Sequence, residues 1–171
     1  MTLKGTPFIF QGDEMGLTNY KFTSMDQVTD VEAKGYYAEY VEKMSEKEAF
    51  AKILTGTREH TRVLLPWNEK LPAYHEGLKQ KIREEITEVY KTLIGLRHAD
   101  QTFVYGAFDV INKKKDRFVY KRSLDGAEYI IDCNLGKQQK KAFETDGYNC
   151  IFTTGTEHDI LAPYEARIWK K

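Results

Sequence analysis

Two short stretches of the 171-residue sequence carry side chains that could do chemistry. Gln11-Gly12-Asp13-Glu14 places two carboxylates directly behind an apolar run. Paired carboxylates can perform acid–base work. Neighbouring loop residues need not point into one space, however, and carboxylates at a strand end also serve as caps and turn formers. The second stretch, Thr57-Arg58-Glu59-His60-Thr61-Arg62, sets two arginines four residues apart with an acid between them. A guanidinium fork matches a carboxylate well. The pair could clamp catalytic carboxylates or sugar hydroxyls, or could belong to a structural ion-pair network near a domain junction. For Arg62 the two readings stand level; for Arg58 the structural one leads. No Gly-rich phosphate loop and no metal-spaced His/Cys cluster occurs. His60, His75, His98 and His158 stand singly, and Cys133 and Cys150 lie within apparent strands with no sign of activation. Neither a metal nor another cofactor is expected.

The elements that must position these residues change in kind near residue 100. Pro7-Phe8-Ile9-Phe10 is short and rich in aromatic and β-branched residues, which predicts a buried strand with a loop behind it. A lone strand lacks neighbours in sequence with which to build a sheet, so it points to a larger fold. Thr29-Asp30-Val31-Glu32 has the form of a capping box and opens a helix through Met44 with a Tyr-rich face. That face reads first as core packing. Ser45-Glu46-Lys47-Glu48 repeats the cap for a second helix, with Gly56 as its left-handed end. Residues 57–78 read as irregular. The strongest helix is predicted from Lys79 to His98, with Ile82, Ile86, Val89, Tyr90, Leu93 and Leu96 in one stripe.

From Phe103 onward strands dominate. They are expected at Phe103–Ile111, Arg117–Ser123, Glu128–Leu135, Lys140–Phe143, Tyr148–Thr153 and Leu161–Trp169, with a hairpin at Asp125-Gly126. Such spacing predicts a small antiparallel sandwich.

Composition narrows the function classes. The 26 basic and 26 acidic residues cancel, so no global field draws in nucleic acid or a membrane surface. No apolar run approaches the ~20 residues that span a bilayer. Two cysteines suit a reducing compartment better than a disulfide scaffold, and a cytoplasmic location is expected.

Five segments in order are similar to one known family. Residues 3–19, Leu3-Lys4-Gly5-Thr6-Pro7 through Leu17-Thr18-Asn19, closely resemble the segment around the eighth barrel strand of oligo-1,6-glucosidases and related exo-acting α-glucosidases. These belong to family 13 of the glycoside hydrolases, in the α-amylase superfamily. Asp30-Val31-Glu32 resembles the next signature of that family. Thr57 to Arg62, with Trp67-Asn68 behind it, resembles its arginine segment. Tyr90-Lys91-Thr92-Leu93-Ile94-Gly95-Leu96-Arg97 resembles its final barrel helix, and Leu161-Ala162-Pro163-Tyr164-Glu165-Ala166 its last sandwich strand.

The resemblance implies an α+β chain. Residues 1–99 would be the carboxyl-terminal end of a (β/α)8 barrel, meaning the last strand plus helices. Residues 100–171 would be a small antiparallel β-sandwich. It also implies a parent enzyme that hydrolyses α-1,6 or α-1,4 glucosidic bonds in oligosaccharides with retention, through an aspartate nucleophile, a glutamate acid–base and a second aspartate. All three would lie upstream of Met1, so no catalytic residue is assigned and the chain alone is expected to be inactive. Arg62 aligns with the arginine that reaches the substrate, and Arg58 with a supporting one. Val63-Leu64-Leu65-Pro66 departs from the usual Thr-Pro-Met-Gln, which leaves the linkage open and admits a disaccharide phosphate such as trehalose 6-phosphate. Two further roles are weighed: a sugar-binding or interaction module, and a structural part whose barrel-facing surface would self-associate.

Overall fold

The computed structural model describes residues 1–66, 80–156 and 159–171. Expectations that fall on Trp67, Asn68, Pro72, His75, Gly77, Lys79 and His158 lie outside the described residues. The chain forms two compact units, residues 10–87 and residues 1–9 together with 88–171.

The first unit is built on two helices, α1 (Val31–Val41) and α2 (Glu46–Leu54). Ser45 caps α2 as its sequence predicts. The Ser45 hydroxyl accepts from the Glu48 amide, and the Glu48 carboxylate receives the Ser45 amide at 3.1 Å. The core holds Tyr20, Phe22, Val28, Ala33 and Ile53, with Tyr37, Tyr40 and Phe50 against its margin. The Tyr-rich face of α1 is thus largely packing, apart from Tyr36, which is exposed.

Three local expectations of the first hundred residues fail. The predicted box at Thr29 does not form, because Thr29 Oγ1 donates to Glu59 at 2.7 Å and the Glu32 carboxylate pairs with Arg58 at 2.5 Å. Charge-assisted partners outcompete a neutral cap. Gly56 does not end α2 in a left-handed turn; the helix closes at Thr55 in right-handed geometry, with the Gly56 and Thr57 amides donating to the Ile53 carbonyl. Pro7-Phe8-Ile9-Phe10 is not a buried strand. It pairs with no strand among the described residues, and Phe8 is 94% exposed. A strand needs a ladder partner for its amides and carbonyls.

Helix α3 runs from Glu84 to Ala99. It starts later than predicted, since residues 80–83 are not helical and Ile82 lies ahead of it; the rest of the stripe, Ile86, Val89, Tyr90, Leu93 and Leu96, is half-buried rather than buried. A short helix α4 (Thr102–Tyr105) then occupies the start of the first predicted strand, and Phe103 is fully buried in it. Seven strands follow among the described residues: β1 (Ala107–Lys114), β2 (Arg117–Leu124), β3 (Ala127–Asn134), β4 (Lys140–Lys141), β5 (Asn149–Thr153), β6 (Ile160–Leu161) and β7 (Ala166–Lys170). The strand expected over Leu161–Trp169 is two strands, β6 and β7, because Ala162 to Glu165 turn between them, with Tyr164 at positive φ.

Five of the strands make one antiparallel sheet in the order β1-β2-β3-β7-β5, and β4 pairs with β6 in a second. The β2–β3 hairpin turns at Asp125-Gly126, both at positive φ, the geometry that suits the twist of the flanking strands. Side chains alternate between the sheet's faces. One face carries Tyr120, Tyr129, Ile131 and Ile168, which pack with Phe103 and with Leu93 and Leu96 of α3. The other carries charge. Asp132 accepts from Arg117 Nε at 3.0 Å and from Arg117 Nη2 and the Phe143 amide, while Arg167 meets Glu165 at 2.6 Å. Asp132, Glu165 and Arg167 are all buried.

Candidate functional site

Gln11-Gly12-Asp13-Glu14 folds as a turn. Gly12 (φ 106) and Gly16 (φ 67) take left-handed conformations on either side of a single 3-10 turn, Asp13–Met15. The Glu14 carboxylate accepts from the Gly12 amide at 2.8 Å. Its own loop therefore absorbs Glu14, as expected of a turn former. Asp13 stays exposed.

The arginine stretch is different. Thr57 caps a 3-10 turn, Arg58–Thr61, by accepting from the Glu59 amide. That turn buries Glu59 and sends its carboxylate to the entry of α1. There it accepts from the Thr29 amide (3.0 Å), the Thr29 hydroxyl (2.7 Å) and the Asp30 amide (2.9 Å). Glu59 thereby holds the backbone that would otherwise need a local cap. The Asp30 side chain makes no cap bond and is free to face the arginines.

Arg58 Nη2 lies 3.3 Å and Arg62 Nη1 3.2 Å from the same oxygen, Asp30 Oδ1. The structure thus brings together the two arginines singled out in the sequence. Asp30 is 8% exposed, whereas each arginine side chain is 53% exposed. A buried carboxylate fixes the base of each fork, and the forks reach outward. Arg58 spends a second contact on Glu32. Among the described residues Arg62 bonds only Asp30, so most of its five N–H donors remain for another acceptor. The cluster can therefore present a fixed positive fork to a hydroxyl or a carboxylate.

Reading the sequence for chemistry singled out neither Asp30 nor Glu59. The signals were present: Asp30 heads the Asp-Val-Glu signature, and Glu59 lies between the arginines. Pairing them takes about thirty residues of intervening chain. Among the described residues no group of three or more His, Cys, Asp and Glu is placed to hold a metal ion, and no helix is long and apolar enough to cross a membrane.

The family model for the α-amylase catalytic domain matches residues 1–106. The chain belongs to the α-amylase family. Among curated relatives, the oligo-1,6-glucosidase of Halalkalibacterium halodurans is 32% identical over 78% of this chain and 27% of its own length. The oligo-1,6-glucosidase of Parageobacillus thermoglucosidasius is 27% identical over 98% of this chain and 36% of its own. Among solved structures, the isomaltulose synthase of Klebsiella sp. LX3 aligns with a TM-score of 0.74 at 26% identity, covering 99% of this chain and 36% of that one. The chain thus spans roughly a third of the length of the proteins it matches.

Proposed function

We propose that these residues form the carboxyl-terminal part of an α-glucosidase that hydrolyses α-1,6 or α-1,4 glucosidic bonds in oligosaccharides with retention. The observation that carries the reading is the buried Asp30 carboxylate clamped by the half-exposed forks of Arg58 and Arg62, inside the segment matched to the catalytic domain. In this reading residues 1–99 are the end of a (β/α)8 barrel, in which Pro7 to Phe10 becomes a strand only beside partners supplied from outside these residues, and residues 100–171 are its antiparallel sandwich. Strand-end loops line the active sites of such barrels. Arg62 contacts substrate hydroxyls and steadies the reacting carboxylates. Arg58 is a positioning residue that ties Asp30 to Glu32.

The nucleophile, the acid–base and the third carboxylate are supplied from outside these 171 residues, so the chain alone turns over no glucoside. Leu3, Phe8, Ile9 and Phe10 are exposed apolar side chains, and their exposure supports self-association when nothing covers them. Two free cysteines support a cytoplasmic setting.

The test is a chimera. The chain is fused behind the part of the Parageobacillus relative that precedes its matched segment. The fusion should hydrolyse p-nitrophenyl α-glucoside, its Arg62→Ala variant should lose on the order of 10² in kcat/KM, and the isolated chain should be inert. Turnover by the isolated chain, or a fusion indifferent to Arg62, would refute the reading.

A further inference from the structure

The sequence holds two Asp-Gly pairs, Asp125-Gly126 and Asp146-Gly147. Neither belongs to the arginine site. The dipeptide has a reaction of its own. The amide nitrogen of the glycine attacks the side-chain carboxyl carbon of the aspartate, the carboxyl hydroxyl and the amide proton leave as water, and a five-membered succinimide closes. Water then adds to one of the two ring carbonyls. Opening at the side-chain carbonyl restores aspartate. Opening at the main-chain carbonyl leaves isoaspartate, with the chain running through the former side chain. Glycine favours the attack because no Cβ screens its nitrogen. Water is the only co-reactant.

The two pairs are alike in chemistry and exposure. All four residues are exposed, and a Cβ at either glycine would meet nothing within 4 Å. The backbone separates them. Ring closure fixes rotation about the aspartate Cα–C bond, so the residue must leave its turn. Asp125 (φ 48) and Gly126 (φ 88) are both left-handed, and the β2–β3 ladder clasps them, in unbroken register from Leu124–Ala127 to Arg117–Asn134. Moving Asp125 parts the first of those pairs. Asp146 lies outside any strand, between the end of β4 at Lys141 and the start of β5 at Asn149. One bond closes its turn, from the Tyr148 amide to the Thr145 carbonyl at 3.0 Å. Gly147 (φ 77) fills the position at which a type II turn needs a left-handed residue. Its amide donates no hydrogen bond among the described residues. Opening such a loop costs far less than parting a ladder.

We propose that Asp146-Gly147 is a self-modification site, where the folded protein converts with age to isoaspartate, and that the hairpin protects Asp125-Gly126. The product carries a free α-carboxylate. A protein isoaspartyl methyltransferase moves the methyl group of S-adenosylmethionine onto an oxygen of such a carboxylate, so the site is a substrate for repair. Conversion also has a structural consequence. The extra main-chain methylene displaces Tyr148, whose hydroxyl donates to Glu128 at 2.7 Å, and strains the Asn149–Lys170 pair that begins β5. The proposal does not rest on the hydrolytic reading.

The experiment ages the folded 171-residue chain at neutral pH and body temperature. Isoaspartate is counted by methyl transfer from labelled S-adenosylmethionine and located by the peptide bonds that an aspartate-directed protease no longer cuts. Label is expected at residue 146, with a yield at residue 125 lower by about tenfold or more, because the ladder opens less often than the loop. In urea the ladder is gone, and the two pairs should convert at like rates. Asp146→Glu should abolish the label of the folded protein, since its longer side chain closes no five-membered ring. Asp125→Glu should leave that label unchanged. Equal yields at the two pairs in the folded protein, or an excess at residue 125, would overturn the proposal. So would a folded chain that gains no label at residue 146 over a time in which the urea-unfolded chain converts.

Discussion

Residues 10–87 and the unit formed by residues 1–9 with 88–171 each hold an arginine cluster, and the two clusters are built in opposite ways. In the first, Arg58 and Arg62 stand half in solvent over a buried carboxylate. In the second, Arg122 is itself fully buried and, among the described residues, meets no carboxylate. Five backbone carbonyls surround it: Ala107, Thr2, Phe103, Thr102 and Gly106, at 2.6 to 3.2 Å. Arg97 works alike, reaching Met1, Leu3, Phe103 and Gly5. A guanidinium sealed among carbonyls has every donor committed and can only hold the fold. One anchored at its base on a carboxylate, with its edge in water, keeps donors in reserve. Exposure of the cation, rather than the presence of an ion pair, separates a binding arginine from a structural one.

The largest effect should come from the sealed set. Arg122→Met leaves buried carbonyls unpaired and should cost on the order of 3 kcal/mol, read as a lower urea midpoint. A midpoint within error of the parent would erase the contrast. Next is Glu59, whose carboxylate holds Thr29 and Asp30. Glu59→Ala should cost about 2 kcal/mol and loosen the Asp30 clamp, visible as faster amide exchange at residues 29–33.

A third effect is set by pH. Burial alone would push the Glu165 carboxyl up, but the Arg167 hydrogen bond, the Ala162 amide, the Thr153 hydroxyl and the Arg167 charge together hold it below the usual glutamate range. The native carboxyl therefore binds its proton less readily than the unfolded one. Its stabilisation is complete above the ordinary glutamate pKa and disappears as pH falls through the lowered native value. Thermal midpoints should drop over that acid window, and Glu165→Gln should flatten the decline. Asp132 opposes it, since burial leads and raises that carboxyl despite Arg117. The smallest effect belongs to the exposed fork. Arg62→Ala should change stability by no more than about 0.5 kcal/mol while removing substrate recognition in the chimera. Thiol labelling gives a check outside the arginines: exposed Cys150 should react quickly, and Cys133, which burial pushes up to about 11, slowly.

Local periodicity made much of this legible. The Ser45 box, the Asp125-Gly126 turn and the spacing of Leu93 and Leu96 all follow from residues within a few positions of each other. The errors have a common origin in distant partners. Thr29 and Glu32 form no box because Glu59 and Arg58, about thirty residues on, bind them more strongly. Phe103 joins a short helix because its apolar ring fills the space beside Tyr129, at a centroid distance of 4.6 Å. The arginines of the site could be named from their spacing, but the carboxylate that orients them could not, since nothing local pairs Asp30 with either. The exposure of Tyr36 was likewise hidden. A tyrosine stripe predicts a core, and only the fold tells which ring is left over.

The register slip in β1, between Val110 and Asn112, bears on how such a chain behaves at high concentration. β1 is an outer strand of the five-stranded sheet, and Val110 and Ile111 are exposed on it. An unbroken rim of that kind would invite a neighbouring molecule to add its own strand and propagate into fibrils. The slip spoils the hydrogen-bond template midway, and Lys113 and Lys114 repel a like-charged copy beyond it. Crowding should therefore not draw the sheet into ordered filaments through β1.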